Sequence, residues 1–324
     1  MTYLPCFSPY PCLLRRLMHI PRKKEQSMLQ HHQISLPHEN AGSLSLYQWQ
    51  NEVSERPVLH WAHANGFNGR TYDPLLSPLA AQFDVYAWDA RGHGLSTFAA
   101  EPKKMTGWDI YGRDLIALVE HLAEKHGRKI WLGGHSMGGF TSVFVAAQRP
   151  DLVAGLILAD PVIVPRIGPL TYLAAKITGK HGGLALAKMA AKRRVDWPSK
   201  EKIKAAYFGR GAFASWQDGF LDAYVEGGVL PHDDGSNKVS LACAPHWEAA
   251  NFKGPQLNCH AFIRRIKAPF TLLTAEHGST TRARQSFATL DVDKKISVVA
   301  GTSHFLPMEV PDLLRGEIID RIEA

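Results

Sequence analysis

The stretch from Lys129 to Phe140 constrains this chain more than any other. An apolar run, Ile130-Trp131-Leu132, ends in Gly133-Gly134, and a helix-forming run from Phe140 to Gln148 begins only a few residues later. Between them lies Gly134-His135-Ser136-Met137-Gly138, so a strand must feed a helix through a very tight turn. Such a turn strains the residue at its apex and leaves almost no room for a Cβ two positions before and two after it, where glycine stands here. Ser136 is therefore expected at the apex, lifted clear of the backbone. The N–H of Met137, opening the helix, would point at the place where negative charge develops on a substrate carbonyl.

The remaining pattern alternates in the same sense. Leu44 to Trp49, Pro57 to Trp61 and Asp84 to Trp88 read as strands, with Pro74 to Phe83 able to form a helix between the last two. Thr106 and Asp109 have capping-box spacing before an amphipathic helix, marked by Ile110, Leu115, Leu118, Val119 and Leu122, that ends near Gly127. Ala154 to Ala159 reads as a buried strand ending at Asp160-Pro161, and strands recur at Pro269 to Thr274 and Lys295 to Val299 before a final helix from about Glu309. Alternation of this kind implies an α/β fold with a doubly wound, mainly parallel sheet. Between Val162 and about His260 it breaks into helical segments separated by Gly, Pro and Asp clusters and rich in aromatics, which reads as an inserted helical cap. The expected organisation is an extension over 1–27, core over 28–160, cap over 161–265 and core again over 266–324.

At the Ser136 turn and in the segments just described, from roughly Leu44 to Ile322, the chain resembles the α/β-hydrolase family. The resemblance implies the chain order nucleophile, acid, histidine, with the histidine after the last strand. His304, in Gly301-Thr302-Ser303-His304-Phe305, matches that position. A serine hydroxyl is a poor nucleophile at neutral pH and needs such a base to take its proton and return it to the leaving group. His135 is the less suitable base, because adjacent side chains on the turn diverge, and is read as packing.

The acid stays open. Most relatives carry an aspartate a few residues after the penultimate strand, where this chain has Thr274-Ala275-Glu276-His277-Gly278-Ser279, with Gly278 in its place. Some branches carry the acid at the end of the preceding sheet strand, which is where Asp160 stands. Asp160, Glu276 and a weakened or missing acid are the alternatives. The resemblance also implies a second oxyanion donor in the loop after an early strand; His63-Ala64-Asn65-Gly66-Phe67 matches it, with the Phe67 N–H as donor beside that of Met137. Asp89-Ala90-Arg91-Gly92-His93-Gly94-Leu95-Ser96 also resembles a family segment; these residues are read as bracing a loop behind the active site, with no chemistry for Asp89 or His93.

The expected function is a serine hydrolase acting on a small or medium carboxylic ester, with no cofactor and no metal. The same chemistry serves thioesters, lactones, amides and some C–C bonds, and a binding protein that has lost efficient hydrolysis is the rival. The nucleophile excludes the branches that attack with aspartate. A net charge of +7 raises nucleic acid as a partner, but the excess is local. Arg15, Arg16, Arg22, Lys23 and Lys24 face only Glu25 in the first 27 residues, and much of the rest lies between Lys188 and Arg210. A solvated surface, or weak attraction to an anionic membrane, fits this better. Met1 to Ser27 lacks the order of a secretory signal and reads as a disordered extension or an upstream start. Four cysteines without Cys-x-x-Cys spacing suggest neither zinc nor a disulfide framework and point to a reducing, cytoplasmic setting.

Overall fold

In the computed structural model, residues 29–39, 41–49, 54–164, 183–254 and 259–324 are described; the expected extension over 1–27 lies outside them. Strands β1 (Gln30–Ile34), β2 (Leu44–Gln48), β3 (Val58–Ala62), β4 (Asp84–Asp89), β5 (Ile130–His135) and β6 (Val153–Ala159) come first along the chain. Short strands β7 (Asp196–Trp197), β8 (Val229–Pro231) and β9 (Val239–Leu241) follow, then β10 (Phe270–Ala275) and β11 (Lys294–Val299). Eight of these strands form one sheet in the order β1-β2-β4-β3-β5-β6-β10-β11. The β1–β2 and β2–β4 pairs are antiparallel and every later pair is parallel, as expected for a doubly wound sheet.

Both faces of the inner strands are buried, so strands such as β3, β6 and β10 read as near-continuous apolar runs. Val58, Ala62, Ile130, Leu132, Leu156 and Leu158 pack on one face with helices α2 (Asp109–His126) and α3 (Met137–Gln148). Leu59, Trp61, Ile157, Ala159 and Leu273 pack on the other with α1 (Asp73–Leu76) and the C-terminal helix Pro311–Glu323. The period of two along each strand sorts the side chains. Gly133 exists for this packing, because a Cβ there would stand 2.4 Å from the Trp61 ring.

Two local expectations fail. The Pro74 to Phe83 helix breaks after Leu76 into a 3-10 turn, Ser77–Ala81, because Pro78 withholds the N–H that would continue the ladder. The Thr106 and Asp109 capping box does not form: α2 begins at Asp109 with Trp108 at its N-cap and no side-chain cap bond. At its other end Gly127, at φ 63°, closes the helix as expected.

Between β6 and β10 the described chain carries helices α4 (Gly183–Ala191), α5 (Lys200–Tyr207), α6 (Phe220–Gly228), α7 (Pro245–Lys253) and α8 (Cys259–Ile263). It also carries the antiparallel sheet β7-β9-β8, an addition to the helices expected there. After β10 come α9 (Gln285–Ala288), α10 (Leu306–Glu309) and α11 (Pro311–Glu323). No helix among the described residues is long and apolar enough to cross a membrane.

Candidate active site

The C-terminal ends of β5, β6, β10 and β11 meet at one edge of the sheet, where open α/β sheets place their ligands. Ser136 follows β5 directly at φ 57° and ψ −114°, a conformation non-glycine residues rarely adopt. Its neighbours explain why the strain persists. A Cβ on Gly134 would stand 2.5 Å from the Gly138 backbone, and one on Gly138 would stand 2.0 Å from the Ala62 carbonyl oxygen. The Ser136 N–H donates to the Ala159 carbonyl at 3.2 Å, and its own carbonyl accepts from Val162 at 3.1 Å, so the turn is fastened to the end of β6.

His304 sits on the loop after β11, and its Nε2 lies 3.0 Å from Ser136 Oγ. Its Nδ1 lies 2.6 Å from Asp160 Oδ2. Asp160 is fully buried and has φ 42°, the left-handed region that Asp tolerates better than most residues. Burial raises the energy of its charge, but hydrogen bonds from His304, Ser279 and Thr280 outweigh that and hold its pKa below the usual carboxylate value. Oδ1 accepts from the Ala275 N–H at 3.2 Å and from the Ser279 hydroxyl, and Oδ2 accepts from the Thr280 N–H at 2.9 Å.

Glu276 is not part of this group of bonds: it accepts the Gly301 N–H at 2.7 Å and faces His277 at 3.6 Å. Sequence reasoning passes over Ser279 and Thr280; two hydroxyl residues beside Gly278, in the turn that lacks the usual carboxylate, were the available signal. The histidine loop is fixed by Glu309, whose carboxylate accepts the Ser303 N–H at 2.7 Å. Glu309 also takes the Ser215 hydroxyl, and its carbonyl accepts Gln217 Nε2 at 2.7 Å, which ties the inserted segment to the His304 loop.

Met137 is the first residue of α3, so its N–H has no acceptor within the helix. The Phe67 N–H donates to the Ala64 carbonyl at 3.1 Å, closing a turn in which Gly66 has φ 78°. The Gly66 N–H donates to His93 Nε2 at 3.1 Å, and Asn65 bonds α7 through the Glu248 carbonyl (3.1 Å) and Asn251 Nδ2 (2.9 Å). Asp89 accepts from Gly69, Leu95, Ser45 and Tyr47, so the segment from Asp89 to Ser96 supports this loop from below.

The Phe67 ring also begins an aromatic wall. Trp216 lies 5.3 Å from it, Tyr224 5.7 Å and Phe305 6.2 Å, with Phe213 4.6 Å from Trp216. Aromatics of the segment between β6 and β10 therefore pack with Phe67 and Phe305 in one cluster, and Phe305 lies 5.6 Å from the His304 ring. His304 keeps a fifth of its side chain exposed and Ser136 is 7% exposed. Away from the serine, His38, Glu39 and Asp114 bring three metal-ligand atoms together, but the Arg91 guanidinium already pairs with both carboxylates.

In the basic stretch, Arg193 pairs with Glu248 at 2.5 Å, Lys200 with Glu226 at 2.6 Å and Lys204 with Asp222 at 2.7 Å. Three of its eight basic side chains are thus paired with carboxylates.

A family model described as serine aminopeptidase, S33, matches residues 54–208. The chain is 26% identical over 279 residues to 2-(acetamidomethylene)succinate hydrolase of Mesorhizobium japonicum, spanning 84% of this chain and 90% of that protein. It is 31% identical over 150 residues to the monoglyceride lipase of Mus musculus, 44% of this chain and about half of that one (49%). The crystal structure of E-2-(acetamidomethylene)succinate hydrolase superposes with a TM-score of 0.71 at 20% identity, covering 92% of this chain and 100% of that chain, which is a likeness of fold.

Proposed function

Since the chain belongs to the α/β-hydrolase fold family, we propose that it is a serine hydrolase cleaving a small or medium carboxylic ester through an acyl-enzyme on Ser136. The observation that carries this reading is the unbroken contact from Ser136 Oγ through His304 to Asp160, at 3.0 Å and 2.6 Å. Ser136 Oγ attacks the ester carbonyl while His304 Nε2 takes its proton. Asp160 holds the proton on Nδ1 and stabilises the imidazolium. The oxyanion is met by the N–H of Met137 and by that of Phe67, which exchanges or shares its turn bond to Ala64. His304 then protonates the departing alcohol, and water repeats the sequence to release the acid.

The rival reading, a binding protein of this fold, rests on the missing carboxylate at Gly278; the Asp160 carboxylate 2.6 Å from His304 Nδ1 supports the hydrolase reading instead. Thioesters, lactones, amides and C–C bonds are the alternative substrates that the same residues would serve. The aromatic wall of Phe67, Phe213, Trp216, Tyr224 and Phe305 supports an apolar acyl or alcohol group. A panel of p-nitrophenyl esters of rising acyl length tests this beside Ser136→Ala: turnover that peaks at short or medium chains and vanishes in Ser136→Ala supports the reading, and equal turnover in the variant sinks it.

We assign the protein to a reducing, cytoplasmic setting, which the free and buried thiols of Cys243 and Cys259 support. A weak contact with an anionic membrane fits the surface of the inserted segment, where exposed Leu186, Met189 and Phe208 stand among exposed Lys188, Lys192 and Arg210. Co-sedimentation with phosphatidylserine vesicles that disappears in high salt is the expected result.

A further inference from the structure

His135, next to the nucleophile, is wholly buried and makes a hydrogen bond at each ring nitrogen. Nε2 lies 2.7 Å from the carbonyl oxygen of His304. Nδ1 lies 2.8 Å from the hydroxyl of Tyr72, and that hydroxyl oxygen lies 3.2 Å from the N–H of Ala64. A carbonyl oxygen only accepts, so Nε2 carries the proton. Burial pushes the His135 pKa down to about 3, helped by the neighbouring His304, so the ring is neutral and Nδ1 is bare. Tyr72 must then donate its hydroxyl proton to Nδ1, and its oxygen is left to accept from Ala64. Every bond in the series therefore points the same way, from Ala64 N–H through Tyr72 and His135 to the His304 carbonyl.

The residues at the ends and middle of this series are not arbitrary. Ala64 belongs to the loop whose Phe67 N–H bonds back to the Ala64 carbonyl at 3.1 Å. His135 belongs to the turn that presents Ser136, and His304 carries the base. The three loops come from the ends of β3, β5 and β11, and β3 and β11 are not neighbours in the sheet. No ladder bond therefore runs directly between the strands that carry the oxyanion loop and the base loop, whereas this series joins the two loops through side chains.

We infer that Tyr72 and His135 form a buried strut that sets the distance between the oxyanion loop, the nucleophile and the base, and that both are positioning residues for the hydrolysis proposed above. The inference rests on that reading for its catalytic consequence. The position also demands a neutral ring. His135 and His304 have ring centroids 4.8 Å apart, and His304 becomes cationic when it takes the serine proton, so a second charge there would oppose the step. A neutral imidazole that donates to the His304 backbone supports the loop without that penalty.

The strut has a direction, which makes it testable without catalysis. In protein labelled with 15N-histidine, the ring resonances lost in His135→Gln identify His135, and the expected pattern is a protonated Nε2 with an unprotonated Nδ1 across pH 5 to 9. A protonated Nδ1, or a ring that titrates in that range, overturns the strut. The catalytic arm uses Tyr72→Phe, which keeps the ring and removes the hydroxyl. Its kcat on the best ester is expected to fall roughly tenfold with KM changed by less than about twofold, since geometry at the reacting atoms is altered and apolar substrate contacts are not.

His135→Gln retains an N–H near the His304 carbonyl and is expected to keep more activity than His135→Leu. A double variant of Tyr72→Phe with His135→Leu should lose less than the product of the single losses. Wild-type turnover together with unchanged kcat in Tyr72→Phe and equal losses in the Gln and Leu variants overturns the strut alone. A wild type that hydrolyses no ester overturns the hydrolase reading instead, and the resonance pattern then decides whether the strut exists.

Discussion

Asp160 Oδ2 lies 2.6 Å from His304 Nδ1, although the two residues are 144 positions apart in the chain. The contact exists because β6 and β11 both end at the same edge of the sheet, and the loop carrying His304 bends back across β10 to reach it. Asp160 is held from the other side by Ser279 and Thr280, so its orientation does not depend on His304 alone.

This arrangement separates the two acids considered above. Asp160→Asn should lower kcat by about 10⁴-fold, because an amide at this place favours the wrong imidazole tautomer. Glu276→Gln should stay within about threefold, since its carboxylate is spent on the Gly301 N–H. Steady-state kinetics on one ester decide it: an Asp160→Asn rate within tenfold of wild type, or a large loss in Glu276→Gln, contradicts the assignment.

The glycines of the turn give a second expectation. Gly138→Ala forces a methyl against the Ala62 and His63 carbonyl oxygens, at 2.0 Å and 2.7 Å, and backbone atoms cannot step aside cheaply. Thermal denaturation should show a loss of about 1–3 kcal/mol along with loss of activity. Gly316→Ala is the control: it lies within α11 in open space, and helix propensity predicts a gain of roughly 0.5–1 kcal/mol. Equal melting temperatures for the two variants would count against the tight-turn account.

Mild acid should destabilise the fold through its buried histidines. Burial pushes His60 and His135 down to about 3, His93 to about 4 and His63 well below its ordinary value. Each pKa is lower in the folded chain than the 6.5 of the unfolded one, so each contribution is present above pH 6.5 and is lost as pH falls toward the folded value. One pH unit below 6.5 the loss is roughly 1 kcal/mol per histidine. Asp89 opposes it: burial raises its pKa to about 6, so its contribution is present below the ordinary carboxylate value and is lost as pH rises through about 6. Four groups outweigh one. Denaturant midpoints should therefore fall between pH 7.5 and 5.5, and a flat or rising profile contradicts the expectation. Asp160, held low, adds its loss only in still stronger acid.

Much of this was legible from residue patterns, and the exceptions have physical causes. The central strands announce themselves because both their faces are buried, as in Val58 to Ala62. Strand β1, Gln30-His31-His32-Gln33-Ile34, is hidden because it is an exposed edge with few apolar residues. The glycines around Ser136 report sterics that operate within a few residues, which a sequence displays directly. The sequence leaves Asp160, Glu276 and a weakened or missing acid open, because which carboxylate lies beside His304 depends on how three loops cross one edge of the sheet. The bonds of His135 were invisible for the same reason: Tyr72 and the His304 carbonyl are 63 and 169 positions away.

The central claim is that Ser136 is an activated nucleophile, and a fluorophosphonate probe measures that directly. Stoichiometric labelling is expected within minutes, on the peptide containing Ser136, with labelling abolished in Ser136→Ala and strongly slowed in His304→Ala. Folded wild-type protein that stays unlabelled, or that is labelled equally well in Ser136→Ala, would contradict the account.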